Sequence, residues 1–331
     1  MKKFRSGFSM IELVLVMTVM GIVASVSSTI IVKVYEGYIV QRAMYRANIS
    51  TELVTTQIVN RLTYAVPNSL LARKIGSNPA SSNQAYMRSI ENLNLTNTEK
   101  EKFGILEWIG YANDSLSATK QPGWSGYCDI NKSGEIGTSG IIRIYTPGSD
   151  TNLNSAKNII GYLGKVGGKN STIYNGALIF SGGEYSNFVN YDPYCMRFPN
   201  PTYRCISNIL SIPSSQTPEI RIAEHKNPNQ KKIITDQYKL VWSAYAIVPE
   251  NRDDDKGTYD LYLYSNYQPW RGENYLSHGD KNLLAKNVTQ FKFYGQGSII
   301  RFKVCIREET GLKVDDPENN LGMCKEKVVI K

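Results

Sequence analysis

With 331 residues, 41% of them hydrophobic, the chain is long enough for one large domain or two small ones and excludes a protein without a packed core. Its two histidines, His225 and His278, stand in no HExxH or related spacing, so neither a zinc site nor a histidine-based triad is indicated. The formal charge is +9; without Lys2, Lys3 and Arg5 it falls to +6, from 35 basic against 29 acidic residues.

The first element is an apolar span over residues 8–32, whose one formal charge is Glu12. At about 20 residues per bilayer crossing, 25 residues are enough to span a membrane. Lys2, Lys3 and Arg5 precede the span, which by the positive-inside rule keeps the N-terminus in the cytoplasm and sends the rest of the chain across. A cleaved secretory signal does not fit, because the span is too long and carries a carboxylate near its start. A plain anchor fits the length, but a carboxylate in hydrocarbon costs roughly 2.5 to 3.5 kcal/mol and normally has a partner. Cleavage between Gly7 and Phe8 supplies one. It removes the basic leader and creates a charged amine near the level of Glu12, available to the Glu12 carboxylate of a neighbouring, staggered copy. Two opposite charges enter a low-dielectric environment tolerably only together, so Glu12 reads as an assembly register.

The segment "GFSMIEL", its short basic leader and the apolar helix that follows resemble the N-terminus of type IV pilins and type II secretion pseudopilins. The resemblance implies a leader of residues 1–7 cut after Gly7 by a prepilin peptidase, methylation of the new amine at Phe8, and Glu12 as the pairing carboxylate. It also implies a single pass through the inner membrane, a periplasmic domain, and other major and minor pilins or pseudopilins as partners.

No proline precedes Pro67, so one helix is expected from Phe8, with residues 8–32 in the membrane and an amphipathic half over 33–66. Val40, Met44, Ala47, Thr51, Val54, Ile58, Leu62 and Ala65 recur every three or four positions and form one stripe, with Arg42, Arg46, Glu52 and Arg61 off it. Many pilins carry a proline in the apolar half; Thr29 occupies that region here.

From residue 67 to 331 the composition shifts to Asn, Ser, Gly and Tyr, with short alternating runs between turn clusters. "GIIRIYTPG", "YNGALIFSGG", "YKLVWSAYAIVPE" and "TYDLYLYSN" read as strands, and "ENRDDDKG" between the last two as a hairpin loop. "IIRFKVCIRE" places Ile300, Phe302, Val304 and Ile306 on one face, and "CKEKVVIK" forms a last strand. The expected fold is α+β: a long helix packed on an antiparallel sheet, with a loop-rich insertion over residues 71–236. That arrangement is similar to larger minor pseudopilins of the J type and W-type minor pilins, whereas Glu12 argues against the K type, which characteristically lacks the pairing carboxylate.

All five cysteines lie in the exported part, where disulfides persist. Cys305 and Cys324 sit on the two last strands and are expected to pair, as are Cys195 and Cys205 around "MRFPNPTYR", which leaves Cys128 free; five cysteines permit other pairings. In "DINKSGEIG", Asp129, Asn131, Ser133 and Glu135 alternate oxygens as a calcium loop does, but Gly140 stands where the bidentate glutamate belongs. An Asx-rich turn is the simpler account, and calcium is the one cofactor to be considered. Asp253, Asp255 and Asp260 form a weaker candidate of the same kind. "GKVGGKNST" has the wrong spacing for a phosphate loop and reads as a turn. Lys226, Lys231 and Lys232, and Arg301, Lys303 and Arg307 on one strand face, form basic surfaces that could meet DNA phosphates. The resulting expectation is a non-enzymatic minor pilin or pseudopilin at or near a fibre tip, with a DNA-uptake or surface-adhesion module on the same stem as the alternative.

Overall fold

The computed structural model describes residues 9–67, 69–80, 85–90, 102–113, 126–136, 140–147, 150–166, 172–180, 206–212, 219–223, 234–308 and 322–331. Helix α1 (Met10–Thr63) is one uninterrupted element of 54 residues, about 80 Å long at 1.5 Å per residue. Every residue from Ser9 to Tyr38 is exposed. Further along, Ala43, Ala47, Thr51, Val54, Thr55, Ile58 and Leu62 are buried, one stripe at helical spacing. The stripe expected from the sequence is corrected at its start: Met44 is exposed and Ala43 is the first buried position. Thr51 and Thr55 bury their hydroxyls by donating to the carbonyls of Ala47 at 2.6 Å and Thr51 at 2.8 Å, so neither leaves an unmet polar group in the interface.

Among the described residues fourteen strands follow: β1 (Leu71–Arg73), β2 (Met87–Ser89), β3 (Ile105–Tyr111), β4 (Gly126–Tyr127), β5 (Gly134–Glu135), β6 (Ile141–Tyr145), β7 (Ala177–Phe180), β8 (Ser207–Ser211), β9 (Glu219–Ala223), β10 (Gln237–Asp253), β11 (Thr258–Tyr267), β12 (Asp280–Gln296), β13 (Ile299–Arg307) and β14 (Gly322–Ile330). Helix α2 (Asp150–Val166) lies between β6 and β7, and the short α3 (Tyr275–His278) between β11 and β12. The strands connect in the order β14-β13-β12-β11-β10-β7-β8-β9-β6-β5, with β3 and β4 also paired to β10 and β1 joining β2 to β3. The antiparallel α+β class expected from the sequence is what the chain adopts.

Strand β10 organises the domain. Its first residues, from Tyr238 to Val241, pair with β7, and its later ones with β3 and β11. On the α1 side, Val54, Ile58 and Leu62 pack with Leu261, Leu263, Phe291, Phe302, Val304 and Ile306. The β12–β14 meander thus turns its apolar face to the helix, as its alternation requires. Residues 71–236 do more than loop out: Ile142, Ile144, Ile160, Ile220, Ile222, Leu240 and Trp242 form a second core, built on strands of the insertion, α2 and the start of β10. The expected turn at Gly164 is also corrected, since Gly164 belongs to α2 and its "GGKNS" continuation lies outside the described residues. The acidic hairpin is tighter than expected, because β10 runs on to Asp253 and the turn occupies residues 254–257. Gly257 adopts φ +61° there, a conformation that favours glycine.

Candidate assembly site on the N-terminal helix

Glu12 lies in the first turn of α1, its backbone N–H donating to the Ser9 carbonyl at 3.0 Å. A carboxylate there is favoured by the positive end of the helix dipole, which rationalises an acidic residue at this end of an otherwise apolar element. The next charge is Lys33, about 30 Å along the axis. That distance matches the hydrocarbon thickness of a bilayer. Tyr35 and Tyr38, 64% and 58% exposed, follow at the level where amphipathic rings settle at a membrane surface. The hydroxyls in between serve themselves: Thr18 donates to Leu15 O at 2.9 Å and Thr29 to Ser25 O at 3.0 Å. Without a proline, the helix runs uninterrupted into the domain. Among the described residues no cation pairs with Glu12; Gly7 and Phe8, the expected processing junction, lie outside them.

The domain end of α1 is fastened to β14 by contacts that sequence reading missed. Glu52 accepts from Lys325 Nζ at 2.6 Å and from Lys327 Nζ at 2.9 Å, and these two lysines hold its carboxyl down at about 2. Lys331 Nζ donates to the carbonyls of Leu62 and, at 2.9 Å, Ala65, tying the last strand to the end of the helix. Burial, with Lys239 nearby, pulls the Lys331 amine down to about 8. Beyond the helix, Val66 N–H donates to Ile109 O and Tyr111 N–H to Tyr64 O, both at 2.8 Å, so the chain leaving α1 is stitched to β3. Deeper in the fold, Arg73 and Glu107 form a buried ion pair at 3.0 Å, and the Tyr267 hydroxyl donates to the same carboxylate at 3.1 Å.

Cys305 and Cys324 face each other in the β13–β14 register and are joined by a disulfide. Cys128 is a buried free thiol, its pKa raised by burial; Cys195 and Cys205 lie outside the described residues. The proposed calcium loop is an Asx turn. Asp129 Oδ1 accepts from Asn131 N at 3.1 Å, and the Ser133 hydroxyl donates to Asp129 O at 2.7 Å while accepting from Tyr145 N at 2.9 Å. Lys132 stands 3.8 Å from the Asp129 carboxylate, and Glu135 is exposed on β5. Among the described residues no three His, Cys, Asp or Glu side chains gather as metal ligands do. In the hairpin, Asp253 accepts from Lys256 N and Asp260 from Asn251 Nδ2, so the DDD segment also serves its own turn. Arg301 is exposed and Lys303 half-buried on the outer face of β13, while Arg307 is drawn to the Lys256 carbonyl at 2.9 Å. The basic strand face is thus shorter than the sequence suggested. Lys226, Lys231 and Lys232 fall outside the described residues.

Residues 2–28 match the family model described as the prokaryotic N-terminal methylation motif. No curated protein and no solved structure matches the chain. The matched motif implies processing by prepilin peptidase and assembly with other pilins, in a family that is generally structural rather than enzymatic. Together with one helix long and apolar enough to cross a membrane, it supports a membrane-anchored subunit of the type IV pilin and pseudopilin family.

Proposed function

We propose that the chain is a minor pilin or pseudopilin: cut between Gly7 and Phe8, methylated at Phe8, held in the inner membrane with its domain in the periplasm, and incorporated at or near a fibre tip. The observation that carries this reading is the division of α1. Its second half is packed on its own sheet, while its first is exposed from Ser9 to Tyr38 and as far as Val32 carries no charge but Glu12. Such a surface has to be covered by lipid or by other helices, and a helix that continues rigidly into the domain can pass from one to the other without refolding. Glu12 then sets the stagger by meeting a neighbour's Phe8 amine, since an unpaired carboxylate among apolar helices is disfavoured. A domain enlarged by a second core favours a minor subunit over a repeating one, because a bulky insertion is easier to seat at an end than along a shaft.

The test combines chemistry and assembly. Mass spectrometry of the membrane protein is expected to find a methylated phenylalanine at the N-terminus, and Glu12→Ala is expected to be inserted and cut but lost from assembled fibres. An intact leader, cleavage near Ala24, or incorporation of Glu12→Ala at the wild-type level overturns the reading.

A further inference from the structure

Where α1 ends against the sheet, the surface opens into a groove of about 490 Å³, within the usual size range of small-ligand pockets. Its walls come from six elements: the last turn of α1, the end of β3, α2, and the facing stretches of the consecutive strands β10, β11 and β12. The backbone at the centre is irregular. The β10 ladder shifts register between Val241 and Ser243 against β3, and between Ala244 and Ala246 against β11. Opposite, Asn266 holds φ +56°, a left-handed conformation that costs a non-glycine residue free energy and is found where a side chain must be aimed.

That irregularity is held by polar bonds. Asn266 N–H donates to Ser243 Oγ at 2.9 Å, Ser243 Oγ–H to Ala244 O at 2.9 Å, and Asn266 Nδ2 to Asp280 Oδ2 at 2.8 Å. The floor is made close by Gly110, where a Cβ would stand 2.6 Å from the Tyr245 ring. Two kinds of side chain dominate the lining of the opening. Asn60, Asn113 and Asn282 offer planar amides that donate and accept side by side, and Asp280 a carboxylate that accepts. Tyr64, Tyr111, Trp242 and Tyr245 bring aromatic rings with polar tips. The formal charges lining the groove are one arginine, Arg61, and one aspartate, Asp280, so the groove is neutral on a chain of charge +9.

We propose that this groove binds a short uncharged oligosaccharide. Vicinal hydroxyls, each a donor and an acceptor, suit neighbouring amide and carboxylate groups, and the apolar faces of a sugar ring suit tyrosine and tryptophan. A nucleic acid or sulfated glycan would bring several anions to a single arginine and set one of them against Asp280, which disfavours both. The inference goes beyond fibre assembly and holds or fails whether or not Glu12 governs incorporation.

The test uses the full-length chain in a zwitterionic detergent, sugar-headed detergents being avoided as competitors. A panel of neutral oligosaccharides, with heparin and single-stranded DNA alongside, is screened on immobilised protein, and the best binder is measured by calorimetry. At least one neutral oligosaccharide is expected to bind. Asn282→Ala and Tyr64→Ala, both at exposed positions, are each expected to weaken it by about tenfold with the thermal midpoint unchanged. Failure of every neutral oligosaccharide, stronger binding of heparin or DNA at this groove, or neutral binding that survives both substitutions would overturn the proposal.

Discussion

Glu52 and Glu107 each meet a cation, but under opposite conditions. Glu107 is sealed in the core with Arg73 and the Tyr267 hydroxyl, where removing either charge would strand the other. Burial and the adjoining Glu107 push the Tyr267 phenol well above its ordinary range, so it stays a neutral donor. Glu52 is half-exposed, where water and salt weaken an ion pair, yet it answers to two lysines rather than one. Its folded pKa of about 2 lies below the ordinary 4.5. The stability this contributes is therefore fully present above pH 4.5 and is lost as the pH falls through the folded value. The expected result is a wild-type thermal midpoint that drops more steeply between pH 4.5 and 2 than that of Glu52→Gln. Parallel profiles for the two proteins would mean that the clasp contributes nothing.

Helix α1 and strand β14 form one mechanical unit at the level of elements. The β14 strand ends the sheet, and a free edge invites pairing with foreign strands. Lysines at alternate positions, a disulfide to β13 and the helix lying along it all blunt that edge. The buried stripe carries the interface, so Ile58→Ala, at a position 1% exposed, is expected to lower stability by about 2 to 5 kcal/mol in urea unfolding. Leu53→Ala, 57% exposed, is expected to change it by no more than about 0.5 kcal/mol. Equal effects would place the interface on the wrong face. The helix was legible in the sequence because its period is local, yet a spacing of three or four allows two starting points, and only the tertiary packing chooses Ala43 over Met44. The Cys305–Cys324 pair was legible because both strands alternate strongly. The partners of Glu52 were not, being 273 and 275 residues away. In the insertion β6 and β7 were legible as "GIIRIYTPG" and "YNGALIFSGG", whereas β1, β2, β4 and β5, of two or three residues each, leave too short a pattern to read, and α2 was hidden by Gly161 and its asparagines despite Leu153, Ala156 and Ile160 on one side. The groove escaped for the same reason: asparagines and tyrosines scattered over more than two hundred residues carry no spacing signal.

For the whole molecule, the question is whether the exposed half of α1 belongs to the folded domain or only travels with it. Nothing in the described domain covers residues 9–38, and the first buried position is Ala43. Both cores, the buried ion pair, the Glu52 clasp and the disulfide lie beyond that point. Removing residues 1–32 should therefore take away the insoluble apolar surface and leave every stabilising contact, including the Lys331 bonds at the other end of the helix. Val34, Tyr35, Tyr38 and Tyr45 remain exposed, but interspersed with Lys33, Glu36, Arg42 and Arg46 they do not make a large apolar patch. The truncated chain is expected to be soluble without detergent, monomeric by sedimentation, and to melt at the midpoint of the full-length protein. Its near-ultraviolet circular dichroism, reporting the packing of Trp108, Trp242 and Trp270, is expected to be unchanged. Aggregation or a markedly lower midpoint would show that the membrane half helps to hold the domain together, and the division of α1 into a packed half and an assembling half would have to be abandoned.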